Sequence, residues 1–456
     1  MKTNKGFPAI FPDAETAASV ERVIRASLDA VDPYQAVRRV LDQQDGQLFV
    51  EDAAYDLKTI ERLLVVSIGK AGGLMAKAAA DALGNKLAAG IVVQKMDIAQ
   101  TALDLPENIQ VLKGDHPVPG EGSLAAGAAV LAFLEGCSPR DLVIFLISGG
   151  GSALVTHPHA GISLNDLQDV TRSLLACGAQ VDEINTIRKH LDGVKGGGLA
   201  GKAYPARMVT LVLSDVVGNP LDMIASGPTV ADPTTYGDAK LILEKYQLWG
   251  KIPASISAVL QTGLAGVLPE TRKPGDACFA HAQVLIVGSN YQAACAGLAA
   301  AQAEGMQAHI LTTYLQGDAF NAGRFLGSLL RQISETGQPF PRPVCLIAGG
   351  ETTVIVQGGG LGGRNLEVAL GAAAELDGLE RVALVTLATD GEDGPTDAAG
   401  AVVTGQTLQQ GLGKGLKVEA CRVASDSYRY FEVLEALIKI GSTGTNVNDL
   451  AFLFAF

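Results

Sequence analysis

Charge is sparse in this chain. Asp, Glu, Lys and Arg together make up 18 % of 456 residues, too little to keep a chain of this apolarity disordered. Positive charge is scarcer still. Thirty-five Lys and Arg stand against 48 Asp and Glu, for a net charge of −13. A broad basic surface for nucleic acid is therefore excluded, because phosphate contacts need clustered cations. An anionic small molecule remains allowed if the positive charge is local. Cysteine is rare, and Cys137, Cys177, Cys278, Cys295, Cys345 and Cys421 include no C-x-x-C pair. They read as small buried hydrophobes, and no Cys/His/Asp cluster has zinc spacing. The first 13 residues lack the apolar centre of a secretory leader, and no apolar stretch is long enough to span a bilayer. The expectation is a cytoplasmic protein without a membrane partner.

What the chain does have is apolar bulk, 48 %, and 54 glycines. Its length suggests two domains. Many glycines follow short apolar runs, where the missing Cβ lets backbone come close to a ligand. The runs at 63–68, 91–93, 142–147 and 208–213 are too short for ordinary helices and rich in β-formers, so they read as buried strands. Helical periodicity occupies 17–30, 123–134, 164–175 and 182–191. Asp32-Pro33 reads as a further helix start. A second series places strands at 284–287, 309–311, 344–348 and 382–388, and a last helix over 429–439. A polar loop and an apolar tail follow. Strands alternating with helices predict an α/β fold, with a mainly parallel sheet in the first series and a second α/β series after it. Turn-rich segments at 232–237 and 274–276 are candidate domain boundaries.

Ligands of open parallel sheets bind beyond the carboxyl ends of the strands. Gly69-Lys70 lies at such an end. It fails the Walker pattern, because Leu64 replaces the first glycine and Ala71 follows the lysine. Lys70 still suits a phosphate or carboxylate. Gly149, Gly150, Gly151 and Ser152 make a sharp turn after another strand. Asp215 ends a third and is a candidate proton acceptor or metal ligand. His116 and His190 are weighed as acids or bases, although a lone His is more often structural. The basic stretch with Arg188, Lys189 and Lys195 suits either anion steering or an exposed helix end. A strand-like 354–356 precedes Gly358, Gly360 and Gly363, which formally satisfy G-x-G-x-x-G and support a rival reading, an NAD(P)H-dependent reductase. The acid expected about 20 residues later is poorly placed. Arg364, at the head of a helix, instead suits a planar fork to carboxylate or phosphate. Asp390 and Asp393 provide carboxylates of the kind that share Mg²⁺ with nucleotide phosphates.

Together these segments resemble the class II glycerate 2-kinases, the MOFRL family. Gly69-Lys70-Ala71, Gly114-Asp115-His116-Pro117, Ser148-Gly149-Gly150-Gly151-Ser152, Asn185-Thr186-Ile187-Arg188-Lys189-His190 and Leu213-Ser214-Asp215-Val216 carry the first half of the resemblance. Gly349-Gly350-Glu351-Thr352-Thr353, Gly362-Gly363-Arg364-Asn365, Thr389-Asp390-Gly391-Glu392-Asp393-Gly394 and Thr445-Asn446-Val447-Asn448-Asp449 carry the second. The resemblance implies a Rossmann-like N-terminal domain, placed at 1–240, and a C-terminal α/β domain at 241–456 containing the MOFRL region, about 340–450. It implies an interdomain active site and transfer of the ATP γ-phosphoryl group to the 2-hydroxyl of D-glycerate. Lys70 and Arg364 would be the principal cations and Asp215 the residue that orients or deprotonates the hydroxyl. Nucleotide would lie against Gly149, Gly150, Gly151, Ser152, Gly349, Gly350, Glu351 and Thr352, with Mg²⁺ on Asp390 and Asp393. The alternatives are a hydroxypyruvate reductase, a name some relatives carry, and a non-catalytic sugar-acid binder. The oligomeric state stays open, with a homodimer as one candidate.

Overall fold

The computed structural model describes residues 7, 8, 10, 11, 13–95 and 104–456. They form two compact units. One is continuous, Pro33–Val287, and the other joins Met1–Asp32 to Gly288–Phe456. The boundary expected at 240/241 falls inside the continuous unit.

That unit opens with an antiparallel meander, β1 (Leu41–Gln44), β2 (Gln47–Val50) and β3 (Ala53–Asp56). Its main sheet has β4 (Arg62–Ile68), β5 (Leu87–Gln94), β6 (Ile109–Lys113), β7 (Asp141–Ile147), β8 (Arg207–Leu213) and β9 (Ala282–Gly288). Their order is β6-β5-β4-β7-β8-β9, and the pairs β4–β5, β5–β6, β4–β7 and β7–β8 are all parallel. β7 is buried along its whole length and β4 from Leu63 onward. A strand covered on both faces must be apolar without alternation, which is why these runs were legible as strands. Full burial of each Val, Leu or Ile stabilises by roughly 1.5–3 kcal/mol. The chain winds outward from β4 to β6, crosses back, and winds the other way from β7. The switch point therefore lies between β4 and β7, the position beyond which ligands of open parallel sheets bind.

The second unit carries a mixed sheet. Its strands are β10 (Gln307–Leu315), β11 (Val344–Gly350), β12 (Val382–Ala388), β13 (Gly400–Thr404), β14 (Leu437–Ile438) and β15 (Asp449–Ala455), in the order β10-β11-β15-β12-β13-β14. Only β10–β11 is parallel among the paired strands, and β15 runs antiparallel between β11 and β12. The apolar tail is thus a central strand. The helix expected over 429–439 is shorter, Ser427–Val433, and Leu437–Ile438 pairs with β13 instead. The strand-like 354–356 is a loop, with Ile355 and Val356 about three-quarters exposed. Helix Ala14–Asp29 belongs to this unit. Arg22 pairs with Glu304 at 2.6 Å, and Ser27 packs against Gly297 of helix Asn290–Ala303.

Candidate functional site

In the continuous unit the switch point brings several predicted residues together. Ile68 and Ile147 are register partners, so the chain leaves β4 and β7 side by side. Lys70 N donates to Gly149 O at 2.9 Å, and Ala71 N to Ser148 Oγ at 3.1 Å. These bonds fix Lys70 over the triglycine turn. Gly150 has φ +80°, a left-handed conformation that favours glycine. A Cβ there would sit 3.0 Å from His116 Cδ2 and 3.3 Å from Lys70 Cγ, so both side chains flank this turn. Asp215, at the end of β8, packs against Gly149. Ser152 Oγ lies 2.7 Å from Ser226 Oγ, which donates to Asn185 Oδ1 at 3.2 Å.

His116 is the residue that sequence reasoning discounted and the fold promotes. Burial, then the charges of Lys70 and Lys95, lower its pKa to about 4. It is a neutral imidazole at physiological pH, able to accept or donate a hydrogen bond without adding charge. His190 goes the other way. It is buried, with Nδ1 2.7 Å from Thr186 O and Nε2 3.2 Å from Glu270, a structural position.

The second unit gathers its polar residues where the carboxyl ends of β11 and β12 meet the start of β15. Gly350 and Ala388 both pair with Asp449. Arg364, first residue of helix Arg364–Ala372, bonds Asp449 through Nε and through Nη2 at 3.4 Å, and Glu351 Oε1 through Nη1 at 2.8 Å. Burial opposes the charge on both Arg364 and Asp449. The two carboxylates outweigh it for Arg364, whose pKa is raised, whereas burial wins at Asp449 and lifts its carboxyl to about 7. The guanidinium is therefore ionised at all physiological pH, and the ionised form of Asp449 depends on it. Asp449 had no assigned role in the sequence reading, because only β15 brings it beside Arg364.

Gly349 and Gly350 lie inside β11 and pair with β15, so the strand continues through them and the turn begins at Glu351. Thr352 is buried just beyond. Asp393 is 1 % exposed. Its Oδ1 accepts from Asn365 N at 3.0 Å and Nδ2 at 3.2 Å, and its Oδ2 from Leu366 N at 2.8 Å. It caps the helix that begins at Arg364. A hydrated Mg²⁺ could not approach a carboxylate so buried and so occupied. Asp390 is partly exposed, and its Oδ1 accepts from Glu392 N at 3.2 Å. Among the described residues no group of three or more His, Cys, Asp or Glu is arranged to hold a metal. Asp390 fits the case of one carboxylate sharing the ion with phosphates, and Asp393 does not.

The G-x-G-x-x-G loop has no strand before it. Added Cβ atoms at Gly358 and Gly360 would collide with Ala424 and Asp426, and at Gly363 with Asp393. These glycines let the loop pack on its own unit, leaving no sign of the dinucleotide fingerprint's strand–turn–helix context.

On the same helix, Glu367 is 7 % exposed and lines a cavity of about 240 Å³ with Asp318, Glu419 and Arg422. Burial, opposed by Arg422 and aided by Asp318, Asp393 and Glu419, raises its pKa to about 7. The raised folded-state value means that the folded protein binds the extra proton between about pH 4.5 and 7. The associated stability is complete at acid pH and is lost as pH rises through 7. Glu367→Gln should escape that loss and be more stable than wild type at pH 8 by about 3 kcal/mol. Urea unfolding at pH 4.5 and 8 checks this; a difference independent of pH would sink it.

Residues 19–261 match the family model described as a domain of unknown function, DUF4147, and residues 344–449 match the MOFRL family. The chain is 41 % identical over 431 residues to the glycerate 2-kinase of Pyrococcus horikoshii, covering 94 % of this chain and 95 % of that one. It is 40 % identical over 440 residues to a putative hydroxypyruvate reductase of Agrobacterium vitis, covering 96 % and 94 %. The crystal structure of glycerate kinase from Thermotoga maritima superposes with a TM-score of 0.85 at 36 % identity, over 97 % of this chain and all of that one.

Proposed function

Because the chain belongs to the glycerate 2-kinase family, we propose that it transfers the γ-phosphoryl group of ATP to the 2-hydroxyl of D-glycerate. The observation that carries the reading is the convergence of Lys70, the triglycine turn and Asp215 at the β4/β7 switch point. The γ-phosphorus gains a bond to the 2-oxygen and loses its bond to the β,γ-bridging oxygen, so ADP leaves. The hydroxyl proton passes to Asp215. Such a transfer needs positioning and charge neutralisation more than covalent help. Lys70 neutralises charge on the transferring group, and the amides of 149–152 receive phosphate oxygens. Neutral His116 supplies a hydrogen bond beside Lys70. In the other unit Arg364, ionised and only partly covered, is a second anion-binding group, where an oxyanion would displace the partly exposed Glu351 from Nη1. Asp390 would be the carboxylate available to Mg²⁺, whose charge would offset that of the phosphates.

The glycine-rich loop lacks the strand that a dinucleotide site requires, which counts against the reductase alternative. The test is a product assay with D-glycerate, ATP and Mg²⁺, with ³¹P NMR to assign the phosphorylated carbon, beside a reaction with hydroxypyruvate and NADH. The expected result is 2-phosphoglycerate and ADP, abolished by chelating Mg²⁺, with no NADH oxidation. NADH loss without phosphoryl transfer would overturn the reading, as would binding of glycerate without turnover.

A further inference from the structure

Helix Val181–His190 carries consecutive basic residues whose fates differ. Lys189 is fully buried and pairs with Asp232 at 2.8 Å and Asp222 at 3.2 Å. Lys195, beyond the helix, is buried and bonds Asp192 at 2.6 Å. Arg188 is half-buried, and among the described residues its side chain makes no hydrogen bond, ion pair or ring contact. Burial alone acts on its pKa, lowering it, with no carboxylate to compensate. An arginine desolvated without a counter-charge carries a free-energy cost that a bound anion would relieve.

Its neighbours show which way this face of the helix looks. Ile184, Ile187 and Leu191 pack into an apolar cluster with Leu167 and Tyr236. Asn185, one turn before Arg188, accepts from Ser226, which in turn bonds Ser152. Asp192, one turn after, accepts from Thr156 Oγ1 and from His157 N at 3.1 Å. Residues three and four apart share a helix face. Arg188 is thus flanked on one side by Ile184 and Leu191 of the apolar cluster and on the other by Asn185, which reaches Ser152 of the triglycine turn through Ser226, while Asp192, two residues past the helix end, bonds the chain that leaves that turn.

We propose that Arg188 is a further anion-binding residue of the substrate site, receiving an oxyanion, nucleotide phosphate or glycerate carboxylate, beside the turn at 149–152. The proposal rests on the glycerate kinase reading and adds to it a cation that sequence alone could not separate from its buried neighbours. The test compares full-length wild type, Arg188→Met and Arg188→Lys in separate ATP and glycerate saturation curves, with thermal melts. Arg188→Met should raise KM roughly 10- to 100-fold for the substrate whose anion it holds. Arg188→Lys should recover part of that loss, because the charge returns without the fork. The melting temperature should not fall, since no partner is lost. Unchanged KM and kcat would overturn the proposal, as would a loss of activity that tracks a lower melting temperature. If wild type itself fails to phosphorylate glycerate, the kinase reading fails separately. Calorimetric titration of ATP and of glycerate then decides Arg188, and equal affinities in wild type and Arg188→Met would refute it.

Discussion

Arg364→Ala should lower kcat/KM for glycerate phosphorylation by about 10²–10³-fold, roughly 3–4 kcal/mol of transition-state stabilisation. The side chain is held in a two-sided fork by Asp449 and Glu351, so its guanidinium is pre-aimed before substrate arrives. Arg364→Lys should recover little, because one ammonium cannot span both carboxylates and an incoming anion. The loss also has a pH signature. Asp449 is 9 % exposed, and burial already lifts its carboxyl to about 7. Without the guanidinium that value rises further, so the folded variant takes up a proton that the unfolded chain releases. The variant's deficit relative to wild type should therefore change little below about pH 7 and grow above it, where wild-type Asp449 is ionised and the variant's carboxyl still holds its proton. Initial rates with both substrates and urea unfolding at several pH values check the two parts. Normal kcat/KM would remove Arg364 from the site, and a pH-independent deficit would remove Asp449 as its titrating partner.

Gly149→Ala should damage both fold and activity from a single added methyl. Gly149 has no positive φ, so the cost is purely one of space. The new Cβ would fall 2.5 Å from Asp215 Cγ and 3.2 Å from its Cβ. Asp215 is too short to bend away at its tip, so the whole carboxylate must rotate out. Overpacking of this kind costs typically 1–3 kcal/mol, and a catalytic group displaced by about 1 Å can lose 10²-fold in rate. The double variant Gly149→Ala/Asp215→Ala separates the effects. It should regain thermal stability, because the clash is gone, and remain as slow as Asp215→Ala alone. Wild-type turnover in Gly149→Ala would mean that Asp215 takes no part in the reaction.

The sites differ in how far they could be read in advance. Lys70, Gly149, Gly150 and Asp215 were legible because each directly follows an apolar strand, and parallel strands deliver their carboxyl ends to one edge. The rival dinucleotide site failed on context: 354–356 has the composition of a strand and the structure of an exposed loop. β15 was read as a tail because a seven-residue apolar run carries no record of its partners. Asp393 was read as a metal ligand because an acid in a Gly-rich loop gives no hint that a helix start 28 residues earlier will occupy both its oxygens.

The sequence by itself determined the α/β class, the position of the main buried strands, and the residues at their ends. Local composition and periodicity suffice for these, since a strand covered on both faces must be apolar throughout. Its resemblance to the glycerate 2-kinases supplied the expected chemistry. Tertiary structure decided the rest. It joined the first helix to the C-terminal unit and inserted β15 antiparallel between β11 and β12. It also set Asp449 against Arg364, turned Asp393 into a helix cap and left the Arg188 side chain without a partner among the described residues while pairing Lys189 and Lys195. Apart from the pairing of Lys195 with Asp192, three residues away, each of these depends on residues far apart in the chain. Which carboxylate meets which cation follows from the packing of whole elements, and no local pattern encodes it.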